Sequence, residues 1–455
     1  MQEREEGTMP VARAVRSALL RPFVEFARLE ASGGILLIVA AAAAIVWANS
    51  SAAESYFHLW ESHARISFRE WALDLSLHEW INDGLMALFF LVVGLEIKRE
   101  IVLGELSSPK RAAFPFAAAI GGMAVPAVIF LAFTSGTPYA RGWGIPTATD
   151  IAFSLGALAL LGSRVPVSLK IFLTAFAIVD DLGAVLVIAL FYNTGISLSA
   201  LALAGLFFML LILANLAGER RLTVYSLLGV GLWLSLLHSG VHATIAGVLL
   251  AFTIPARVRL YPREFVDKAR SIIERLRREA ERDESPLSQD RQDALQTLER
   301  ACLQAQMPLQ RLEHILHPWT TYCVLPIFAL ANAGVAIESG LGSAFSHPMT
   351  IGITLGLLVG KSLGVLAAAY LAVRLRLAAL PRGLAWGHLF PVAVLGGIGF
   401  TMSLFISNLA FTDAEARNLA KAGILLGSLA SGVIGTLLLS RKLKRDAPDL
   451  TANEE

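Results

Sequence analysis

The chain has 455 residues, 55% hydrophobic and 16% charged, with a mean hydropathy of +0.62 and a formal net charge of +2. Soluble globular proteins carry about 25% charged residues, so too few polar side chains remain here to cover a water-facing surface, and hydrocarbon must be part of the solvent. The two cysteines, Cys302 and Cys323, make neither a disulfide framework nor a metal-ligand spacing, and nothing in the composition calls for a cofactor or a nucleic-acid partner.

Residues 1–33 read as a cytoplasmic tail with an interfacial helix over about 11–29, where Val15, Leu19, Phe23 and Phe26 recur at helical spacing between arginines. Glu25 and Glu30 spoil the basic region that a cleaved signal would need, so the next apolar run reads as a retained first membrane helix. About twelve apolar segments follow the spanning rule of roughly 20 residues, fewer where helices shelter one another. They lie near 34–49, 82–103, 112–134, 145–161, 167–193, 198–216, 222–237, 241–254, 319–335, 349–373, 389–410 and 418–440. Residues 34–254 thus form helices 1–8 of an all-α membrane domain, 319–440 form helices 9–12, and 441–455 are a tail.

Two connections are sizeable. Residues 50–78, with Trp60, His63, Ile66 and Trp71, suit a hairpin or an interfacial helix. Residues 255–318 hold an amphipathic, charge-rich stretch over about 263–307, broken near Pro286, which reads as a pair of packed surface helices without ion chemistry. Orientation follows from basic residues. With the N-terminus in the cytoplasm, the cytoplasmic tails and short loops hold 20 Lys and Arg, whereas the opposite side holds four, Arg65, Arg69, Arg141 and Arg417. Both termini are therefore expected inside.

The chemistry must lie in ionisable groups within apolar runs, each costing about 2.5–3.5 kcal/mol at mid-membrane on insertion scales. Asp150, Asp180, Asp181 and Lys361 stand out. A buried ion pair joining helices explains one Asp and one Lys. It does not explain three carboxylates against one ammonium, and the acidic surplus points to a mobile cation or proton. Asp180 and Asp181 are adjacent in an apolar helix, so they point about 100° apart and can share a cavity while serving different partners. Two such carboxylates oppose each other's ionisation, which lets one hold a proton and yield it to a cation. Sodium, a hard ion, takes oxygen ligands.

Asp150 follows Gly144-Ile145-Pro146-Thr147-Ala148-Thr149, a poor helix sequence in which the span is expected to break. A second break is expected in Gly396-Gly397-Ile398-Gly399-Phe400-Thr401-Met402-Ser403. The two spans run in opposite directions, each in the middle of a three-helix group, as in an inverted repeat with discontinuous helices at the binding site. Asp150 is placed to offset the positive half-helix ends, and Lys361 to offset the negative ends or to pair with an Asp.

These residues resemble the NhaA family of bacterial sodium/proton antiporters over about residues 15–440. The pieces that carry the resemblance are Thr147-Ala148-Thr149-Asp150, Ile178-Val179-Asp180-Asp181-Leu182-Gly183 and Gly360-Lys361. Val93 to Glu100, Ser239 to Thr244 and Arg311-Leu312-Glu313-His314 add to them. The resemblance implies crossed half-helices, an ion and proton site at Asp180 and Asp181, and Thr149 as a ligand or neighbour. It implies that Asp150 and Lys361 compensate the half-helices and that Lys361 pairs with Asp180. Glu96, Arg99, Glu100, Arg311 and Glu313 would form a pH-response region at the inner mouth, with interfacial anchoring as the alternative. His242 would tune the pH response or simply pack, and Asp83 would line the outer funnel or cap its helix through Asn82-Asp83.

The expected activity is export of Na+, and of Li+, from the cytoplasm for a larger number of incoming H+. The resemblance implies that exchange is electrogenic and pH-regulated, by a secondary transporter in the bacterial inner membrane that dimerises through the 50–78 loop. A cation channel and an intramembrane aspartyl protease using Asp150 and Asp181 are the alternatives. The 255–318 loop departs from the compact family pattern, and no regulatory role is carried onto it.

Overall fold

The computed structural model describes residues 32–68, 71–193, 195–257, 262–282, 289–336, 345–381 and 383–446. The interfacial helix expected at 11–29, the break expected near Pro286 and the last part of the C-terminal tail lie outside the described residues.

The described chain is almost wholly helical. Helix α1 (Ser32–Ala48) turns by 112° into α2 (Ala53–Glu61). The antiparallel strands β1 (His63–Phe68) and β2 (Trp71–Ser76) follow, paired from His63 with Ser76 to Phe68 with Trp71. The connection thus holds both a helix and a hairpin. Residues Leu77–Glu79 and a π-helical turn, Trp80–Leu85, lead without a break into α3 (Met86–Val102). Ser76 and Glu79 cap this start reciprocally, so Asp83 lies inside the helix and does not cap it, contrary to one of the two readings above.

Helices α4 (Pro109–Thr134), α5 (Ile151–Leu160), α6 (Val167–Phe191), α7 (Leu198–Leu216), α8 (Leu222–Leu237) and α9 (Ile245–Thr253) come next. The polar helices α10 (Pro262–Arg282) and α11 (Gln289–Ala305) pack against each other. Helix α12 (Pro308–Trp319) passes through a π turn into α13 (Leu325–Asn332). Likewise α14 (Pro348–Leu355) passes through the π turn Gly356–Gly360 into α15 (Lys361–Arg374). The chain closes with α16 (Trp386–Leu395), α17 (Phe400–Ala410) and α18 (Ala414–Asp446).

Among the described residues five helical segments, with α14 and α15 together making one, are long and apolar enough to cross a membrane, or seven if each of two bent pairs, α1 with α2 and α16 with α17, counts as one span. Helix α7 shows the solvent directly. It is apolar all round, and Leu203, Leu206, Met209, Leu213 and Leu216 are exposed, as a lipid-facing helix requires. The span expected over 145–161 differs from an α-helix at its start: Pro138–Thr147 is 3-10 helix, followed by extended residues, because Pro138, Gly142, Gly144 and Pro146 disfavour an α-helical ladder.

The helices form two packed groups. Helices α3, α7, α8, α9 and α12 make one, with a core of Leu91, Leu95, Leu211, Leu232, Leu250 and Leu309, and α13 continues it through the π turn after α12. Helices α4–α6 and α14–α18 make the other. Within it α4 and α15 touch backbone to backbone: a Cβ on Gly121 would stand 2.1 Å from Gly364 O, and one on Gly364 2.0 Å from Gly121 O. Only glycine permits that approach, which brings the α15 lysine over the α6 aspartates. The groups meet along α3 with α6 and α13 with α17.

Candidate functional site

The two helix breaks lie against each other in the second group. Ala148 and Asp150 are extended, as the 3-10 stretch gives way to α5. The Asp150 amide donates to Ile398 O at 2.6 Å, Thr149 Oγ1 to Gly396 O at 2.7 Å, Ser154 Oγ to Leu395 O at 3.0 Å, and Ser403 Oγ to Ile145 O at 2.7 Å. Each break thus answers polar backbone that the other exposes, as buried amides and carbonyls require in hydrocarbon. At Gly397 a Cβ would meet Leu357 O at 2.2 Å, so the second break needs its glycine.

Asp150 joins two helix starts. Its Oδ1 accepts from the Phe153 amide at 3.0 Å as the cap of α5. Its Oδ2 accepts from the Thr401 amide at 3.1 Å and the Thr401 hydroxyl at 2.6 Å, at the start of α17. One carboxylate therefore accepts from the first free amides of both helices.

Lys361 follows a π turn, an inserted residue that redirects the side chains after it. Its Nζ donates to both oxygens of Asp180 at 2.8 Å and to Thr147 O, the last carbonyl region of the 3-10 stretch. It also lies 5.6 Å from the Phe176 ring centroid. Lys361 and Asp180 are completely buried, and the Thr149 amide also reaches Asp180.

Asp181 differs from its neighbour. It is 1% exposed, and its Oδ1 has no hydrogen-bond partner among the described residues. Asp180, Asp150 and Glu96 act on it as further negative charges, and Lys361 is the positive one. Among the described residues no cluster of three His, Cys, Asp or Glu side chains could hold a metal, so any ion here would draw on hydroxyls and carbonyls as well.

A second charged cluster joins α3 to α12. Arg99 pairs with Glu313 and, at 3.3 Å, with Glu100, while His317 lies 3.9 Å from Glu96. The Glu105 amide donates to Glu100 at 3.0 Å. Burial pushes the Glu313 carboxyl up from its usual range, and Arg99 opposes that shift. Arg311 is exposed and has no ion pair among the described residues, so it stands apart from this cluster. Lys98 caps the end of α9, donating to Phe252 O at 2.7 Å and to Ile254 O. His242 is remote from both clusters, with Nε2 bonded to Tyr192 O at 2.6 Å.

Several participants escaped the sequence reading. Ser154 stands four residues after Asp150 on the same helix face, and His317 four after Glu313; that spacing was the available signal. Thr401 and Ser403 lay in the noted glycine motif without a role. Hydroxyl residues are ordinary in membrane helices, and partners some 251 residues away in sequence carry no local mark.

Apolar helices packed round two abutting breaks, with buried carboxylates at the junction, define a polytopic membrane protein built to handle a small charged species. The family profile described as Na+/H+ antiporter 1 matches residues 24–439. The chain is 51% identical over 430 residues to Na(+)/H(+) antiporter NhaA 2 of Syntrophotalea carbinolica, covering 94% of this chain and 98% of the relative. It is 51% identical over 432 residues to Na(+)/H(+) antiporter NhaA of Oleidesulfovibrio alaskensis, covering 95% and 96%. It is 48% identical over 436 residues to that of Acidithiobacillus ferrooxidans, covering 94% and 100%. The chain belongs to the Na+/H+ antiporter 1 family, whose members are secondary transporters and not enzymes.

Proposed function

We propose that the chain exports Na+ from the cytoplasm in exchange for H+ by competitive binding at Asp180 and Asp181, with alternating access from the two sides. The observation that carries this reading is the buried Asp181 Oδ1, without a hydrogen-bond partner among the described residues, beside a carboxylate that Lys361 already answers. A carboxylate left so in hydrocarbon is costly. A proton neutralises it, or a sodium ion coordinates it together with oxygens such as those of Thr149 and the carbonyls freed at the breaks. Either occupant excludes the other.

Only a loaded site changes sides, so inward protons drive outward sodium without both being bound at once. Asp150 and Lys361 compensate the ends of the crossed half-helices in an inverted repeat. More protons than sodium ions move per cycle, which makes exchange electrogenic, and Li+ is accepted too. Glu96, Arg99, Glu100 and Glu313 set the pH response at the cytoplasmic mouth, and His242 packs. The protein sits in the bacterial inner membrane as about twelve spans with both termini inside and residues 255–318 as a cytoplasmic loop. It pairs as a homodimer through the hairpin in 50–78, whose outer strand edges have no strand partner among the described residues.

The test is reconstitution in liposomes. Internal pH is recorded on adding Na+, Li+ or K+ at several external pH values. Saturable proton movement with Na+ and Li+, inhibited by acid, is expected. Ion flux without proton coupling at rates far above a carrier's would point to a channel instead.

A further inference from the structure

The seam between the two helix groups is mostly apolar, yet at the end carrying the hairpin it holds a polar knot. Asn332 ends α13 in the first group and is fully buried. Its Oδ1 accepts from Asn408 Nδ2 of α17, in the second group, at 2.6 Å, and lies 3.0 Å from His78 Nε2. Its Nδ2 donates to Asn82 Oδ1 at 3.2 Å and to Phe328 O at 2.9 Å. Asn82 Nδ2 in turn lies 3.0 Å from His78 Nδ1. All these contacts are satisfied together when His78 is neutral, accepting at Nδ1 and donating at Nε2. A second bond crosses the same seam: Lys421 Nζ of α18 donates to Gly334 O at 3.2 Å.

Below the knot lies an aromatic layer. Phe405, three residues nearer the α17 break than Asn408, has its ring centroid 5.3 Å from that of Phe90 and 6.3 Å from that of Phe328. All three are essentially buried. The way from the hairpin end along α17 to the junction of the breaks is therefore shut twice, first by amides and then by rings. A buried polar network in an otherwise apolar seam adds little net stability over apolar packing and instead fixes one arrangement of the two surfaces. Water can take over these amides once the surfaces part, so the same groups suit both a closed and an open state.

We propose that Asn408 with Asn332, and Lys421 with Gly334 O, form a latch that holds the hairpin end of the seam shut and is broken and re-formed once per transport cycle. The proposal rests on the alternating-access reading above and adds the residues that close one side. Movement of α17 away from α13 opens the latch and separates Phe405 from Phe328, while the bonds between the two breaks hold the junction together.

The test uses the full chain with Cys302 and Cys323 replaced by serine, reconstituted in liposomes. In the Asn332→Cys/Asn408→Cys variant, joining the two thiols with a short bis-thiol reagent should cut sodium-dependent proton movement at least tenfold, and reductant should restore it. Either single-cysteine variant should ignore the reagent. Full exchange by the joined protein would overturn the latch. Should the double variant be inactive before joining, Asn408→Ala decides: faster amide hydrogen exchange over 328–334 and 403–410 is expected, and unchanged exchange would overturn the proposal. Loss of transport in Asp181→Asn with full transport in the joined protein would sink the latch alone. Transport retained by Asp181→Asn would sink the binding site, while the joined protein still reports whether the seam must part.

Discussion

Two charged clusters occupy this molecule, and they handle their charge in opposite ways. At the junction of the breaks, Asp180 and Lys361 are fully buried, and Asp181 keeps an oxygen with no hydrogen-bond partner among the described residues. At the α3–α12 cluster the side chains keep some contact with solvent: Arg99 is 28% exposed and Glu100 16%. Both places have more carboxylates than fixed cations. Water can screen the surplus in the second, whereas in the first, on the proposed function, a bound ion or proton answers it. Acidic surplus alone therefore does not single out an ion site, and the proposal rests on the surplus that is sealed from water.

Asp181→Asn tests that contrast hardest. It removes the charge that a cation would complete and should abolish sodium-dependent proton movement in vesicles, while the folded protein remains purifiable. Full exchange by a folded variant would erase the distinction between the clusters.

Lys361→Met comes next. It leaves Asp180 buried without its ammonium, and breaking one partner of a buried pair costs about 3–5 kcal/mol. A clear drop in thermal unfolding temperature in detergent is expected, partly recovered in Asp180→Asn/Lys361→Met. Equal stability of the single and double variants would mean that the pair is not energetically coupled.

At the α3–α12 cluster the effect should be a shift and not a loss. The Glu313 carboxyl is raised by burial, so it gives up its proton above the usual carboxylate range, and only then does it pair fully with Arg99. Glu313→Gln mimics the protonated form at every pH. Exchange should persist, with its activation midpoint displaced by about 0.5–1 pH unit. An unchanged profile would reduce the cluster to anchoring.

The smallest effect concerns His78. Burial, aided by the positive charge of Lys421, lowers it to about 4. A base with a depressed folded pKa binds protons more readily when unfolded, so its neutral form stabilises the fold near pH 7. That contribution falls as pH drops from about 6.5, the ordinary histidine value, towards 4. Unfolding temperature of the wild type should therefore fall more steeply over this window than that of His78→Gln. Parallel curves would show that the imidazole does not titrate in the fold.

The central site was largely legible from the chain because charge inside apolar runs is conspicuous. Asp150, Asp180, Asp181 and Lys361 announce themselves by cost, and the glycines at 396, 397 and 399 announce a break. Residue logic alone left the partner of Lys361 open, since both aspartates share a helix; only the side-chain geometry separates the paired Asp180 from the orphaned Asp181. The 3-10 start at Pro138–Thr147 was hidden because hydropathy reports burial and not the backbone ladder. The knot at Asn332 was hidden for another reason: a single amide at the end of an apolar run looks like a cap, and its partners come from residues 78, 82 and 408.

Sodium binding measured by calorimetry on the purified protein at several pH values tests the competitive site most directly. Each bound proton that a sodium ion displaces weakens apparent affinity by about tenfold for each pH unit below the site's titration, so more than one proton per sodium makes the fall steeper than tenfold, and Asp181→Asn should show no binding heat. An affinity independent of pH, or binding retained by Asp181→Asn, would contradict a shared site for sodium and protons.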